Sequence, residues 1–126
     1  MIGRIRGLLI EKKPPHVLVE AAGVGYWMAA SLSTLAKLPT INQEVILHTE
    51  MVIREDAHLL FAFFTTDERE LFQILLKVSG VGPKLALAIL SGMEPKQLAH
   101  TILTEDINAL TKMPGVGKKT AERLIV

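Results

Sequence analysis

The chain contains no cysteine, few aromatic residues and no long apolar run, and each deficit excludes a class of protein. Without cysteine it has neither a disulfide framework nor a thiolate metal site, and a reducing cytoplasm suits such a chain. Because Arg4 and Arg6 lie within the first six residues, we expect neither a signal peptide nor a membrane span. The formal net charge of +1 does not by itself indicate a nucleic-acid ligand.

The charge is distributed unevenly along the 126 residues, which can form one ordinary domain or two small ones. The range 44–70 contains seven acidic residues and two basic ones. From residue 77 onward there are seven basic residues and four acidic ones. The last third of the chain is therefore the part whose charge suits a polyanionic ligand.

The periodicity of apolar residues changes near residue 64. Before that point β-branched and apolar runs alternate with turn signals, which predicts a small antiparallel barrel or sandwich of five short strands. A brief helix fits the range 32–38 within this half. The five runs are Ile2–Ile10, Val17–Ala21, Tyr26–Ala30, Val45–Ile53 and Leu59–Phe64.

After Phe64 the spacing becomes helical. Thr65 and Glu68 resemble a capping box that opens a helix through Lys77. The apolar face of that helix is predicted at Leu71, Ile74, Leu75 and Val78. Further helices are predicted over Pro83–Leu90, Pro95–Leu103, Glu105–Thr111 and from Lys118 through Val126. Because the chain stops inside the last apolar run, we expect it to be truncated.

Two segments of the helical half repeat each other at an offset of 35 positions. Each has a helical run, a Gly-Val-Gly turn and a second helical run that opens with lysine. Such a turn directs backbone N–H groups out of a helix N-terminus, where a phosphate can bind. Glycine permits positive φ and leaves space for the phosphate. The candidate phosphate-binding residues are Gly80, Val81, Gly82, Lys84, Gly115, Val116, Gly117, Lys118, Lys119 and Arg123.

Other glycine motifs do not fit these turns. A dinucleotide-binding fingerprint needs a preceding strand and a third glycine, whereas helix precedes Gly80 and Leu85 occupies the third position. A Walker A loop needs Ser or Thr after its Gly-Lys, but Lys119 follows Lys118. A single copy could be an ordinary turn between helices. Two matched copies favour binding to two stretches of nucleic-acid backbone.

The remaining candidate residues are weaker. The four histidines show no metal-ligand spacing, so we expect scattered structural or surface roles and neither a metal nor another cofactor. They are His16, His48, His58 and His100. Tyr26 and Trp27 could stack on bases. Tyr26 is more simply a core residue, which would place Trp27 on the other face of the strand.

The sequence resembles the RuvA family of bacterial Holliday junction-binding proteins over its whole length. The matching stretches are Met1–Gly7, Gly23–Tyr26, Arg54–Ala57, Gly80–Gly92 and Pro114–Arg123. The resemblance implies an α+β fold, with a five-stranded OB-fold-like barrel over 1–64 that carries the tetramer contacts. It also implies an all-α domain over 65–126 with two helix-hairpin-helix motifs, truncated at its C-terminal end.

The resemblance further implies a non-catalytic, cytoplasmic DNA-binding subunit in recombination, repair and the response to DNA damage. A homotetramer, or two face to face, would hold a four-way junction open and square while the RuvB motor drives branch migration. A RuvC-type resolvase would share the complex, and duplex DNA would bind as well. Family members continue into a linker and a third domain that contacts the motor, so we do not expect this chain to recruit it directly.

Glu55 and Asp56 lie in an acidic turn between two predicted strands. From the residues alone a solvated turn is the simplest interpretation. A catalytic metal site is disfavoured, because adjacent acids on a turn point apart and only His58 is near. The family resemblance implies an acidic pin at the junction centre, where copies from four chains would repel the phosphates and keep the crossover mobile.

Two functions of other classes stand beside junction binding. A helix-hairpin-helix glycosylase or nuclease would place a catalytic Lys or Asp shortly after the second hairpin, where this sequence stops. A generic duplex binder would hold linear DNA as tightly as a junction. Cleavage of labelled DNA identifies the first class, and equal affinity for the two DNA forms identifies the second.

Overall fold

The computed structural model describes residues 1–113 and 115–125, and their contacts divide the chain after Arg69 into two compact units. The strands are β1 (Arg4–Lys13), β2 (His16–Ala21), β3 (Val24–Ala30), β4 (Glu44–Ile53) and β5 (His58–Phe63). The helices are α1 (Leu32–Lys37), α2 (Thr66–Leu76), α3 (Pro83–Gly92), α4 (Pro95–Leu103), α5 (Ile107–Thr111) and α6 (Lys118–Ile125).

The first unit is a closed five-stranded barrel with the strand order β1-β2-β3-β5-β4. Strands β3 and β5 pair in parallel, and the other neighbours pair antiparallel. Closure leaves no long unpaired strand edge. The structure therefore confirms the predicted α+β class and selects the barrel over the sandwich.

Buried and exposed side chains alternate along the strands, so one face of each strand forms the barrel core and the other forms the outer surface. Val17 and Val19 of β2 and Met28 and Ala30 of the adjacent β3 belong to the core, and all four are buried. Tyr26 packs against this core, whereas Trp27 is 48% exposed. The predicted placement of these two aromatic residues on opposite faces of β3 is confirmed.

Each strand differs from the prediction by one to three residues at one or both ends, most at β1 and β3. The β2–β3 turn consists of only Ala22 and Gly23, both at positive φ (51° and 81°), as a two-residue hairpin requires. Strand β3 therefore begins at Val24 instead of Tyr26. Strand β1 extends beyond Ile10 to Lys13, which pairs with His16 across an equally short turn.

Glu68 is buried at 2% exposure and has partners far away in the sequence. The Thr65 hydroxyl accepts from the Glu68 N–H at 3.2 Å, which confirms the capping role of Thr65. The Glu68 carboxylate accepts hydrogen bonds from the hydroxyls of Ser31 (2.7 Å) and Thr34 (2.6 Å). Ser31 also caps α1 by accepting from the Thr34 N–H at 3.2 Å. A buried carboxylate of this kind is tolerated because donors satisfy it.

In the helical segment the predicted apolar face of α2 is confirmed at Leu75 and wrong at Ile74. Ile74 is 56% exposed, and the buried positions are Phe72 and Leu75. Helix α5 begins at Ile107, two residues later than predicted, because the Asp106 side chain caps it by accepting from the Ala109 N–H at 3.1 Å. The predicted end of the last helix at Val126 lies outside the described residues, as does Pro114. No helix among the described residues is long and apolar enough to cross a membrane.

Candidate nucleic-acid interface

The two Gly-Val-Gly turns have the same hydrogen-bond framework. In the first, Val81 N–H donates to Val78 O (3.1 Å) and Ala86 N–H donates to Gly82 O (2.9 Å). In the second, Val116 N–H donates to Met113 O (3.1 Å) and Ala121 N–H donates to Gly117 O (2.9 Å). Every donor and acceptor of the second turn lies 35 positions after its counterpart. The sequence repeat is thus a structural repeat.

The glycines in each turn have different conformations. Gly80 and Gly115 have φ of 85° and 83°, in the left-handed region that favours glycine. Gly82 is extended (φ −93°, ψ 179°) and forms the N-cap of α3. Gly117 also lies outside the left-handed region. The expected positive φ is therefore found at the first glycine of each turn and is wrong for the second.

Within residues 1–113 and 115–125, no steric contact requires glycine at positions 82 and 117. A Cβ built on either residue would meet no atom within 4 Å, and both residues are exposed. Extended backbone accepts any side chain. The open space in front of each helix is consistent with close approach by something outside the chain, as when a phosphate approaches backbone amides.

The backbone groups at the two helix starts are suited to an anion. The first N–H groups of any helix lack intrahelical acceptors, and here they include those of Lys84, Lys118 and Lys119. All three lysine side chains are exposed. Pro83 occupies the first turn of α3, where its missing N–H costs nothing. Each turn thus combines helix N-terminal amides with at least one exposed lysine.

Val81 and Val116 were predicted in the phosphate-binding set, and the structure places their side chains inward. Their exposures are 6% and 5%. Burial of the middle residue anchors each turn to the core beneath it, so only backbone atoms of the two valines are available to a ligand. The valines therefore position the glycines on either side.

The two turns are adjacent within the helical unit. A Cβ on Gly115 would lie 3.2 Å from Leu85 Cδ1, so the second turn lies beside the start of α3. Arg123 of α6 is exposed, and its Nη1 donates to Ser79 O at 3.3 Å in the first turn. No sequence pattern indicates this link, because the partner is a backbone carbonyl 44 positions away.

A groove of about 470 Å³ follows the same side of the unit. It is lined by Lys77, Val78, Ser79, Lys119, Glu122 and Arg123. Three of these side chains are cationic and one is anionic, so the groove is basic on balance. All the predicted cations of the second motif except Lys118 line this groove, and Lys77 is an additional cation.

Glu55 and Asp56 occupy the tip of the β4–β5 hairpin in the barrel unit. Ile53 pairs with His58 at the last position of the ladder, and Arg54 N–H donates to Ala57 O at 2.7 Å to close the turn. Both acidic side chains are exposed. The predicted hairpin is confirmed, whereas its role at a junction stays a prediction.

His48 of β4 is partly buried beside two cationic side chains. Burial, followed by the neighbouring charges of Arg69 and Arg4, lowers the pKa of His48 below its ordinary value. Arg69 is fixed beside it by a bond from Nη1 to Gly3 O at 2.7 Å. Among residues 1–113 and 115–125 no three His, Asp or Glu side chains are grouped as ligands for a metal ion.

The closed barrel and the paired turns define the class as an OB-type barrel followed by tandem helix-hairpin-helix motifs. Comparison with family models agrees in both parts. Residues 1–62 match the RuvA N-terminal domain, and residues 72–126 match the SAM-like helix-hairpin-helix tandem. The chain belongs to the RuvA family.

Curated relatives align with the whole chain. It is 53% identical over 126 residues to a protein of Coxiella burnetii, 54% to one of Pseudomonas savastanoi and 56% to one of Laribacter hongkongensis. Each relative is named Holliday junction branch migration complex subunit RuvA. The chain covers 63%, 62% and 62% of their respective lengths, which is less than two thirds.

Proposed function

We propose that this chain is the DNA-binding part of a subunit that recognises four-way junctions in a branch migration complex. It binds the sugar–phosphate backbone of junction and duplex DNA and performs no bond-breaking chemistry itself. A RuvB motor drives migration, and a RuvC-type resolvase acts in the same complex. We place this activity in recombination and DNA repair in the bacterial cytoplasm.

The observation that carries the proposal is the pair of turns with matching hydrogen bonds, each with a glycine whose Cβ position is open among the described residues. Gly82 and Gly117 stand in open space at the two helix starts that present amides and lysines. Phosphate is the part of DNA that amides at a helix N-terminus bind best. Because phosphate contacts carry no base information, the interface recognises DNA by shape and charge.

The barrel supplies the second part of the mechanism. In a homotetramer, or in two tetramers face to face, the Glu55–Asp56 tips of four chains would meet at the junction centre. Their charges repel the phosphates there, while the hairpins of the helical units attract the arms. The crossover then stays open and mobile, because affinity is located away from the point where strands exchange.

The experiment compares affinities for a four-way junction and for a linear duplex of the same arm sequence at one salt concentration. We expect the chain to prefer the junction. Neutralising the tip with Glu55→Gln and Asp56→Asn should raise affinity for both DNA forms, most at low salt, since screening extends over about 10 Å at 0.1 M. The preference for the junction should shrink.

The matched control is Asp67→Asn with Glu70→Gln, which removes the same charge from exposed positions of α2, outside the tip. It should leave the preference unchanged. Equal affinity of the unmodified chain for both DNA forms would identify a generic duplex binder. Cleavage of labelled junction in the presence of Mg²⁺ would identify a nuclease, contrary to the proposal.

A further inference from the structure

The outer face of the barrel carries a stacked aromatic pair that the hairpin interface does not use. The rings of His16 and Trp27 are 5.0 Å apart between centroids, with planes only 8° from parallel. Trp27 is 48% exposed although one face of its indole lies against His16. The exposed area therefore comes from the ring edges and the other face. An indole that is stacked on one face and exposed on the other can stack a further aromatic ring on its exposed face.

The pair lies on adjacent strands, beside a basic turn. Trp27 of β3 is opposite Leu18 of β2, so an aliphatic side chain flanks the indole. His16 is opposite Lys13 of β1, the residue that enters the β1–β2 turn. Lys12 and Lys13 are both exposed there. By strand register Lys13 shares the outward face of the ring pair, whereas Lys12 is opposite the buried Val17 and Glu11 is opposite Leu18 in the row of Trp27. The positive charge is therefore at the Lys13 end of this face.

This location is the one that OB-type barrels use for extended ligands. Oligonucleotides bind such folds across the face of strands 2 and 3 and along the loops β1–β2 and β4–β5. Here the β4–β5 loop is the acidic tip, which repels phosphate. The β2–β3 face and the β1–β2 turn remain available. We propose that they form a binding site for single-stranded nucleic acid, in which an unpaired base stacks on Trp27.

The chemistry of the face selects a single strand over a duplex. Both faces of a paired base are covered by its neighbours in the helix, whereas an unpaired base has a free face to offer. Stacking on an aromatic ring is tolerant of sequence, because every base has a π-face. Glu11 and Glu20 also lie exposed on β1 and β2, so the backbone of the strand should run past Lys13 and away from them.

Trp27 is the only tryptophan of the chain, so its fluorescence reports this face directly. The probe is a thymidylate strand of about ten nucleotides, within the range of OB site sizes. An abasic sugar–phosphate strand of the same length serves as its partner probe. We expect the thymidylate strand to quench the emission saturably. The abasic strand should leave the emission unchanged, even where it binds the hairpins through phosphates.

Fluorescence anisotropy of labelled thymidylate and abasic strands tests the same site without relying on Trp27 emission. Trp27→Leu keeps an apolar side chain but removes the ring, and should weaken thymidylate binding about tenfold while leaving the abasic strand unaffected. Trp27→Phe should restore part of the loss. Leu103→Ala, which trims an 82% exposed residue of the helical unit, is the control and should change neither affinity.

Three results would overturn the proposal. Equal quenching by the abasic strand would show a purely electrostatic contact. Undiminished thymidylate affinity in Trp27→Leu would show that the ring does not hold a base. Emission that changes with protein concentration alone, together with a higher mass in sedimentation, would show that the face binds a second copy of the chain. Junction binding through the hairpins is measured separately and survives any of these results.

Discussion

Gly80 and Gly82 are two positions apart, yet they differ in what a side chain would disturb. At Gly80 the φ of 85° makes any L-residue costly, by roughly 1–2 kcal/mol. A Cβ there would also approach Arg123 Nη1 at 2.7 Å. At Gly82 the backbone is extended and its surroundings are open, so a side chain would meet only a ligand arriving from outside.

The first prediction separates binding from stability at this residue. Gly82→Val should lower the free energy of unfolding by no more than about 1 kcal/mol, because the backbone is extended and only the weaker N-cap preference of valine opposes the change. Junction affinity should fall about tenfold or more, because hydrogen bonds from amides to a charged phosphate, each about 1.5–3 kcal/mol, are blocked. Chemical unfolding and junction titration measure the two effects, and Gly117→Val should behave alike.

Gly80→Val is the control, and it should lower stability as well as affinity. A folded Gly82→Val protein with undiminished junction affinity would show that the α3 amides are not ligands. A Gly82→Val protein as unstable as Gly80→Val would show instead that position 82 is constrained from within.

His48 provides a prediction about pH. Because its pKa is lowered in the folded chain, the folded state binds fewer protons than the unfolded state as the pH falls below about 6.5. Stability should therefore decrease as the pH falls through this range. In His48→Gln the decrease should be smaller. Urea unfolding at pH 7.5 and at pH 5.5, followed by Trp27 emission, measures the difference.

The control for this series is His58→Gln, which removes an exposed histidine of the same barrel. It should keep the pH dependence of the unmodified chain. If His48→Gln lost as much stability on acidification as the unmodified chain, the burial of His48 beside Arg69 and Arg4 would have no energetic consequence.

At the scale of elements, the spacing of apolar residues and the residues at turns predict which strands and helices form. Tertiary contacts determine where each element ends and which face of a helix is buried. The sequence predicted five strands, α1 and the order of the helices. It placed the apolar face of α2 at Leu71, Ile74, Leu75 and Val78, and it did not predict that Glu68 is buried. In the structure Glu68, Phe72 and Leu75 are buried at helical spacing. The donors that make this possible, on Ser31 and Thr34, are more than 30 positions away.

The buried hydrogen bonds of Glu68 lead to a stability prediction. Glu68→Ala leaves the hydroxyls of Ser31 and Thr34 without their buried acceptor and should cost about 1–3 kcal/mol. Glu68→Gln, which keeps one acceptor oxygen, should cost less. Glu70→Ala, at an exposed position of the same helix, should change stability by less than about 0.5 kcal/mol. Urea unfolding measures all three, and equal effects of Glu68→Ala and Glu70→Ala would contradict the assigned network.

At the scale of the whole molecule, function depends on two features that the sequence shows in different ways. The paired hairpins are recognisable because local residues form them: glycine, a buried valine and lysine at fixed spacing. The acidic tip is recognisable only as a turn, since its proposed role arises from four chains meeting. Arg123 and Trp27 illustrate a further limit, because their partners Ser79 and His16 become neighbours only after folding.

The central claim is that phosphates bind at the helix starts that follow glycine, and the chain contains a matched comparison for it. Lys84 and Lys96 are both exposed, and both follow a proline that begins a helix. The residue before that proline is Gly82 in the first case and Glu94 in the second, where an acidic side chain would repel phosphate. The two lysines thus differ chiefly in what caps the helix.

The most direct test measures junction affinity across a salt series for the unmodified chain, Lys84→Ala and Lys96→Ala. Lys84→Ala should reduce the slope of log affinity against log salt by about 0.9, the value for one phosphate contact, whatever the DNA sequence. Lys96→Ala should keep the slope of the unmodified chain. A full slope in Lys84→Ala, or equal reductions in both variants, would contradict phosphate binding at the glycine-capped helix.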